Sequence, residues 1–408
     1  MRAELGTREK TDGALKPLGP LLLGRCGVSC VFQWEMWSFL LVFGLLCWGS
    51  HGSVTCKDNS DAEVDWYILY KMPYNIPTPS GSTTGTEYFY MDSNGRNQEL
   101  NNINSANSVL GNTLRPLFRS IRSMDETFGF ISYSDQPPGC GADPKRFGHS
   151  KGLVMVDRTS TGVWILHSTP RFPFRREQNN FWPKSGDRNA QTFICVTFNY
   201  NQFTTIGTHL QYINAFPFEH YIPDNFHEEL KNVVKWTEGS PYRPDKVEVS
   251  MLTSKGNQGF QIFAKQANED EEVGDLYLSI AKNIKSDVYA QTWGCQRDRS
   301  DSYCPSGVSS SSVINVEDLI VGNQKTWKPK VDHSKWCVAK DQNKHWTCIA
   351  DMNRAVSQFE RFGGALCIHL ESVQRHFLGF AIHPQSCRKR PRPVCDPNSD
   401  GDNLQVIG

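Results

Sequence analysis

Two copies of a His-Ser-Lys triplet, His149-Ser150-Lys151 and His333-Ser334-Lys335, carry the side chains best suited to chemistry. Residues i and i+2 of a β-strand point to the same face, so each histidine would share a pocket with its lysine. A neutral imidazole can attack phosphorus, a protonated imidazole can donate a proton to a leaving oxygen, and lysines can hold the non-bridging oxygens. The pair therefore predicts phosphodiester cleavage through a phosphohistidine, with no metal or other cofactor.

A β-hairpin pattern follows each triplet. After Lys151 come an apolar run, a polar turn and a second apolar run that ends at His167. After Lys335 the same order of segments leads to Asn353. Folding each ribbon back brings His167 within about one register step of the first histidine and sets Asn353 against the second. This divergent internal repeat predicts two related halves that form one site between them.

Other candidates have structural explanations. A single triplet would most simply be a strand-capping histidine beside a solvated lysine, and only its repetition favours chemistry. The acidic run at 269–272 lacks calcium-loop spacing and is typical of a solvated turn. His345 and His369 lie in strand-like runs that favour structural histidines. The chain has no phosphate loop, His-Glu-x-x-His or Gly-x-Ser-x-Gly motif.

The first 52 residues predict a signal peptide cleaved near Gly52. The apolar run at 37–48 is shorter than the roughly 18 residues of a membrane span, so no membrane anchor is expected, and Met36 is an alternative start. Removing this leader leaves 38 Lys and Arg against 39 Asp and Glu. The chain therefore lacks the excess positive charge of proteins that coat nucleic acid.

Strand-like and helical patterns alternate along the rest of the chain. Strands are predicted at 64–70, 87–91, 191–198 and 365–369, and helices near 110–119, 224–236 and 275–293. This pattern is typical of a mixed α/β fold. The predicted organisation is a leader (1–52), two halves that each hold one hairpin (53–225 and 226–387), and a disordered tail (388–408).

Ten cysteines remain after the leader, which indicates several disulfides in a secreted chain. None lies in a Cys-x-x-Cys pair, so zinc-ribbon and thioredoxin-like sites find no support. Spacing alone leaves the pairing open. The chain has no Asn-x-Ser/Thr sequon, so N-glycosylation is not expected.

An ordered set of segments runs from about residue 54 to 387. It comprises Val64-Asp-Trp-Tyr67, Tyr70-Lys-Met-Pro73, Tyr133-Ser-Asp-Gln-Pro-Pro138, Gly148-His-Ser-Lys-Gly152, Trp164-Ile-Leu-His-Ser168, Asp332-His-Ser-Lys-Trp-Cys337 and Trp346-Thr-Cys-Ile-Ala-Asp-Met-Asn-Arg354. As a set, the segments resemble the deoxyribonuclease II family, acid endonucleases of the phospholipase D fold superfamily. The resemblance covers nearly all of the chain after its leader.

The resemblance implies a pseudo-dimer of two sheets flanked by helices, with one active site at the seam between the halves. It implies metal-independent hydrolysis of double-stranded DNA at acidic pH to 3′-phosphate products. The site residues carried over are His149, Lys151 and His167 in one half-site and His333, Lys335 and Asn353 in the other. Which of the two triplet histidines is the nucleophile stays open.

The same analogy implies disulfides between Cys56 and Cys195, Cys304 and Cys387, and Cys348 and Cys367, and it leaves Cys140, Cys295, Cys337 and Cys395 unassigned. The superfamily's aspartate after His-x-Lys has a candidate in Asp157, whereas the second half-site would use Asp351 or no carboxylate. Family members are usually glycosylated and lysosomal. The missing sequon weakens mannose-based sorting and makes secretion a serious alternative, as in similar echinoderm venom nucleases.

Two rival functions remain at this point. A lipid phosphodiesterase on the same fold would need an apolar patch beside the site, and no amphipathic stretch flanks either triplet. A secreted DNA-binding toxin with little turnover would not need both triplets intact. The oligomeric state is open.

Overall fold

The computed structural model describes residues 53–176, 179–235, 247–268, 270–305, 311–322 and 325–387. The predicted signal peptide and the predicted tail after residue 387 lie outside these residues. Within the described ranges, no helix is long and apolar enough to cross a membrane.

Short strands make up most of the regular structure. The strands before residue 226 are β1 Cys56–Lys57, β2 Glu63–Val64, β3 Trp66–Lys71, β4 Pro77–Thr78, β5 Gly81–Ser82, β6 Tyr88–Asp92, β7 Asn97–Leu100, β8 Phe128–Ser134, β9 Lys151–Asp157, β10 Thr161–His167, β11 Gln191–Asn199 and β12 Pro217–Tyr221. The later strands are β13 Glu248–Thr253, β14 Gly259–Lys265, β15 Val288–Gln291, β16 Val313–Val321, β17 Lys325–Trp327, β18 Trp336–Ala339, β19 Trp346–Ala350, β20 Gly363–His369 and β21 Ala381–Pro384. The α-helices are α1 Val109–Leu114, α2 Gln202–Tyr212, α3 Glu228–Lys235, α4 Glu271–Gly274, α5 Leu276–Ile284, α6 Val356–Phe359 and α7 Glu371–Phe380.

Two large sheets organise these strands. The first has eight strands in the order β12-β8-β9-β10-β11-β3-β6-β7. The second has nine, in the order β13-β14-β20-β19-β18-β15-β16-β17, with β21 on β16. The run β8-β9-β10-β11-β3-β6 matches β15-β18-β19-β20-β14-β13, and every pairing in both runs is antiparallel. The mixed α/β class with two sheets is confirmed, and the matched strand orders agree with an internal repeat.

Alternation along the strands builds the cores on the two faces of each sheet. On β10, Val163 and Ile165 enter a core on the outer face of the first sheet, whereas Trp164 and Leu166 enter a core that residues of both sheets share. Helices α2 and α7 contribute to that shared core, through Phe203 and Phe377 among others. Since successive side chains of β10 enter two different cores, both faces of this strand are apolar.

One helix prediction is wrong at its C-terminal end. The predicted helix at 275–293 begins as expected, because the Asp275 side chain accepts hydrogen bonds from the N–H groups of Tyr277 and Leu278. It ends at Ile284, since Lys285 adopts a left-handed conformation with φ 55°. Residues 288–291 then form β15 and pair with β18.

Three disulfides join described residues. They are Cys56–Cys195, Cys304–Cys387 and Cys348–Cys367, the same pairs that the resemblance implies. Among the cysteines left unassigned, Cys295 is disulfide-bonded, and Cys140 and Cys337 are free thiols. Cys395 lies outside the described residues.

Candidate active site

Each triplet lies at a seam, where its backbone bonds to the other half of the chain. The His149 N–H donates to the carbonyl of Phe362 at 2.8 Å, and the His333 N–H donates to that of Ala190 at 2.9 Å. Gly148 permits the first contact, because a Cβ there would lie only 2.8 Å from the Phe362 carbonyl oxygen. Each histidine is therefore fixed by the residue that directly precedes a strand of the opposite sheet, β20 or β11.

Asp135, which directly follows β8, is the centre of the first half-site. Its carboxylate accepts hydrogen bonds from His149 Nδ1 at 2.7 Å, Lys151 Nζ at 2.6 Å and Arg361 Nη2 at 3.1 Å. Burial would raise the pKa of the Asp135 carboxyl, but its neighbours, with His149 and Lys151 foremost, hold that pKa well below its usual range. The carboxylate therefore stays ionised and can only accept.

This carboxylate fixes the tautomer of His149. A donor at Nδ1 leaves the lone pair of a neutral ring on Nε2. Burial lowers the pKa of His149 to about 3, although Asp135 acts in the opposite sense. His149 is thus neutral at mildly acidic pH, with a nucleophilic nitrogen available.

His167 is buried beside Lys151. Pairing of Leu166 with Gly152 places His167 opposite Lys151, so it lies two residues from direct pairing with His149 rather than about one. Its Nδ1 accepts from the Thr169 N–H at 3.2 Å, which leaves the proton on Nε2. Burial and then Lys151 lower the pKa of His167 well below its usual range. His167 is therefore a neutral donor rather than an acid.

The second half-site surrounds His333. The Trp293 ring packs against the His333 ring with centroids 4.8 Å apart. Burial, followed by Lys335 and Lys151, lowers the pKa of His333 well below its usual range. Burial and the nearby Lys151 lower the pKa of Lys335 to about 7. Both lysines thus lie within one electrostatically coupled pocket, which suits an anion.

Asp351 and Asn353 follow the end of β19 and support these groups. Asn353 Oδ1 accepts from the Trp293 N–H at 3.2 Å, so Asn353 acts on His333 through Trp293. Asp351 Oδ2 accepts from the Gly364 N–H at 2.9 Å, while its Oδ1 is buried with no partner among the described residues. Burial raises the pKa of Asp351 to about 8, which makes it a proton-bearing carboxyl at acidic pH.

The two half-sites differ at one matched position. Strand β8 pairs Tyr133 with Gly152, and β15 pairs Gln291 with Trp336. Two residues further along each of these strands come Asp135 and Trp293. A carboxylate therefore accompanies His149 where an indole accompanies His333.

The prediction that Asp157 supplies the carboxylate of the first half-site is wrong. Asp157 ends β9 at the far end of the hairpin, where its carboxylate accepts from the Thr159 N–H at 2.8 Å. The carboxylate beside His149 is instead Asp135. Asp135, Trp293 and Arg361 were not predicted from the sequence as site residues. Asp135 lies inside the quoted Tyr133–Pro138 segment, but only strand pairing shows that it meets His149. In the part of the chain that the structure describes, no group of three or more His, Cys, Asp or Glu residues could hold a metal ion.

Two sheets, each with a hairpin that carries a histidine–lysine pair, define the class of α/β protein to which this chain belongs. A family model described as Deoxyribonuclease II matches residues 55–387, and the chain belongs to this family.

Relatives match over most of their length. Deoxyribonuclease-2-beta of Homo sapiens is 31% identical over 86% of this chain and 95% of its own. Deoxyribonuclease-2-alpha of Sus scrofa is 31% identical over 86% and 96%, and Plancitoxin-1 of Acanthaster planci is 30% identical over 83% and 94%. Among solved structures, a yeast tyrosyl-DNA phosphodiesterase aligns with 60% of this chain and 84% of its own at 10% identity, with a TM-score of 0.29.

Proposed function

We propose that the protein is a metal-independent endonuclease that hydrolyses double-stranded DNA at acidic pH to 3′-phosphate products. The observation that carries this proposal is the contact of Asp135 with both His149 and Lys151, in a pocket that Lys335 shares. Membership of the deoxyribonuclease II family supports DNA as the substrate.

In the first step, His149 Nε2 attacks phosphorus and a P–N bond forms. The bond from phosphorus to the 5′ oxygen breaks, and protonated His333 gives its proton to that oxygen. Lys151, Lys335 and the Nε2–H of His167 hold the non-bridging oxygens as charge builds on them. The intermediate is a phosphohistidine in which phosphorus stays bonded to the 3′ oxygen of the upstream strand.

In the second step, water replaces the departed strand. Neutral His333 takes a proton from the water as its oxygen attacks phosphorus. The P–N bond breaks, His149 returns to its neutral form, and the product is a 3′-phosphate. His333 has then regained the proton that it gave in the first step.

The pocket favours acidic pH for two reasons. The pKa of Lys335 is about 7, so this lysine is charged at about pH 5 and loses its charge as the pH rises through 7. The pKa of His333 lies well below its usual range, so this histidine takes up a proton only at acidic pH, and a bound phosphate anion favours the protonated form by offsetting the charges of the nearby lysines. Substrate binding and proton donation therefore weaken together towards neutral pH.

We place the protein in the secretory pathway, bound for a lysosome or the extracellular space. Disulfides such as Cys56–Cys195 persist in oxidising compartments and support this assignment.

Plasmid nicking tests the proposed function. The chain without its leader should cleave plasmid in EDTA at about pH 5 and far less at about pH 7.5, and His149→Ala and His333→Ala should each lose about 10²-fold or more. Activity that EDTA abolishes and magnesium restores would sink the histidine mechanism. Full binding of DNA without turnover at any pH would favour the DNA-binding alternative, and faster hydrolysis of phospholipid vesicles would favour the lipid phosphodiesterase.

A further inference from the structure

Arg361 reaches the first half-site from the second half of the chain. Its Nη2 donates to Asp135 Oδ2 at 3.1 Å and to the Phe147 carbonyl at 3.3 Å. Its side chain is 16% exposed, and that of Asp135 is 6% exposed. The pair is therefore largely desolvated, where charge interactions are strongest.

The segment that carries Arg361 is clamped in place. Lys265, fully buried at the end of β14, donates to the carbonyl of Phe359 at 2.7 Å and also to that of Arg361. The next residue, Phe362, accepts the backbone N–H of His149. Arg361 thus stands on a backbone that is itself bonded to the nucleophile.

The matched position in the other half lacks this arginine. Gln191 pairs with Lys71, and Gly363 pairs with Lys265. Two residues before these strand residues lie Asn189 and Arg361. The matched position therefore holds an arginine on the side of Asp135 and an asparagine on the side of Trp293.

We propose that Arg361 is a positioning residue that keeps Asp135 ionised at acidic pH, so that the carboxylate continues to orient His149. The inference rests on the proposed acid nuclease function. An enzyme that works near pH 5 operates about one unit above the ordinary pKa of an aspartate, where a buried carboxyl would otherwise take up a proton. A protonated Asp135 could donate to His149 Nδ1. The ring proton would then lie on Nε2, which would no longer have a lone pair to attack phosphorus.

Several charged groups face Asp135 from the elements around it. His149 and Lys151 approach from the first half, and Arg361 approaches from the second. Asp351 and Lys335 also interact with it electrostatically. At acidic pH His149 is neutral and Asp351 keeps its proton, so Lys151 and Arg361 are the cations that contact the Asp135 carboxylate. Lys151 must also hold the substrate phosphate in the proposed reaction, whereas Arg361 is committed to Asp135.

The acid limb of the pH profile tests this role. In Arg361→Gln, kcat/KM should fall about tenfold more at about pH 4 than at about pH 6, because the pKa of Asp135 moves up towards the working pH. Arg361→Lys should restore much of the acid limb, since an ammonium can also pair with the carboxylate. The control is Arg146→Gln, which removes an exposed arginine beside Phe147. This variant should leave the shape of the pH profile unchanged.

A double-mutant cycle separates this inference from the proposed function. Thermal unfolding at about pH 5 of Arg361→Gln, Asp135→Asn and the double variant measures their coupling without any activity. We expect Arg361→Gln to lower the thermal midpoint less in the Asp135→Asn background than in the wild type. Additive effects on unfolding, or an Arg361→Gln pH profile parallel to that of the wild type, would overturn the inference. A wild-type chain that fails to cleave DNA would instead refute the proposed function.

Discussion

At the residue scale, the two histidines have unequal partners. Asp135 accepts from His149 Nδ1, whereas the ring of Trp293 covers His333. A carboxylate partner fixes one nitrogen as donor and the other as nucleophile, and an indole cannot do this. This difference is why we propose that His149 attacks phosphorus and His333 transfers the protons.

Asp351 gives a stability prediction at the same scale. Its pKa is about 8 in the folded chain against an ordinary value of 3.8. Between these values the folded state holds a proton that the unfolded state releases, so stability falls as pH rises through this window. Asp351→Asn removes the titration, and its thermal midpoint should gain on the wild type by on the order of a few degrees between about pH 4 and about pH 8.

Thermal unfolding of both proteins across this pH range checks the prediction. Asp224→Asn, at an exposed aspartate, serves as the control and should track the wild type. A constant offset between Asp351→Asn and the wild type would mean that Asp351 is ionised throughout.

The site residues that the sequence predicted are those that lie close together along the chain. His149 and Lys151 are two residues apart on one strand, and their repeat at His333 and Lys335 made them stand out. Asp135 lies 14 residues before His149 and reaches it only because β8 pairs with β9. Contacts of this kind arise from sheet pairing, which spacing along the chain does not reveal.

At the element scale, the hairpins were predictable and the sheet orders were not. Alternation and turn residues are local signals, and they predicted β9 with β10 and β18 with β19. The position of β3 between β11 and β6 depends on pairing between distant segments. The end of α5 depends on one left-handed residue, Lys285, whose side chain gives no strong stop signal.

Strand β14 controls the first half-site through Lys265. Lys265→Met removes hydrogen bonds to the carbonyls of Phe359 and Arg361. The Phe359 carbonyl keeps the N–H of Asn268 at 2.9 Å, so the main loss is at the Arg361 carbonyl and costs about 1–3 kcal/mol. The released segment also carries the acceptor of the His149 N–H. We expect a lower thermal midpoint together with a loss of kcat/KM that is largest at acidic pH, as in Arg361→Gln.

Plasmid cleavage across pH and thermal unfolding measure both effects. Lys282→Met, on the exposed face of α5, is the matched control. Destabilisation with an unchanged pH profile would show that Lys265 supports the fold alone.

At the scale of the whole molecule, each half completes the site of the other. Phe362 holds His149, Ala190 holds His333, and Arg361 crosses to Asp135. Residues from both sheets also share one core, so the halves cannot separate without exposing apolar surface. The internal repeat predicted this cooperation in outline, although the contacts that achieve it depend on the folded chain.

A mixing experiment tests whether one chain supplies the whole site. His149→Ala and His333→Ala proteins, each inactive, should stay inactive when they are combined, because the shared core prevents exchange of halves. Equal mixtures of each variant with the wild type give the activity expected without interference. Recovery of plasmid cleavage in the mixture of the two variants would show that half-sites from different chains combine, and the contacts at Phe362 and Ala190 would then have to form between chains.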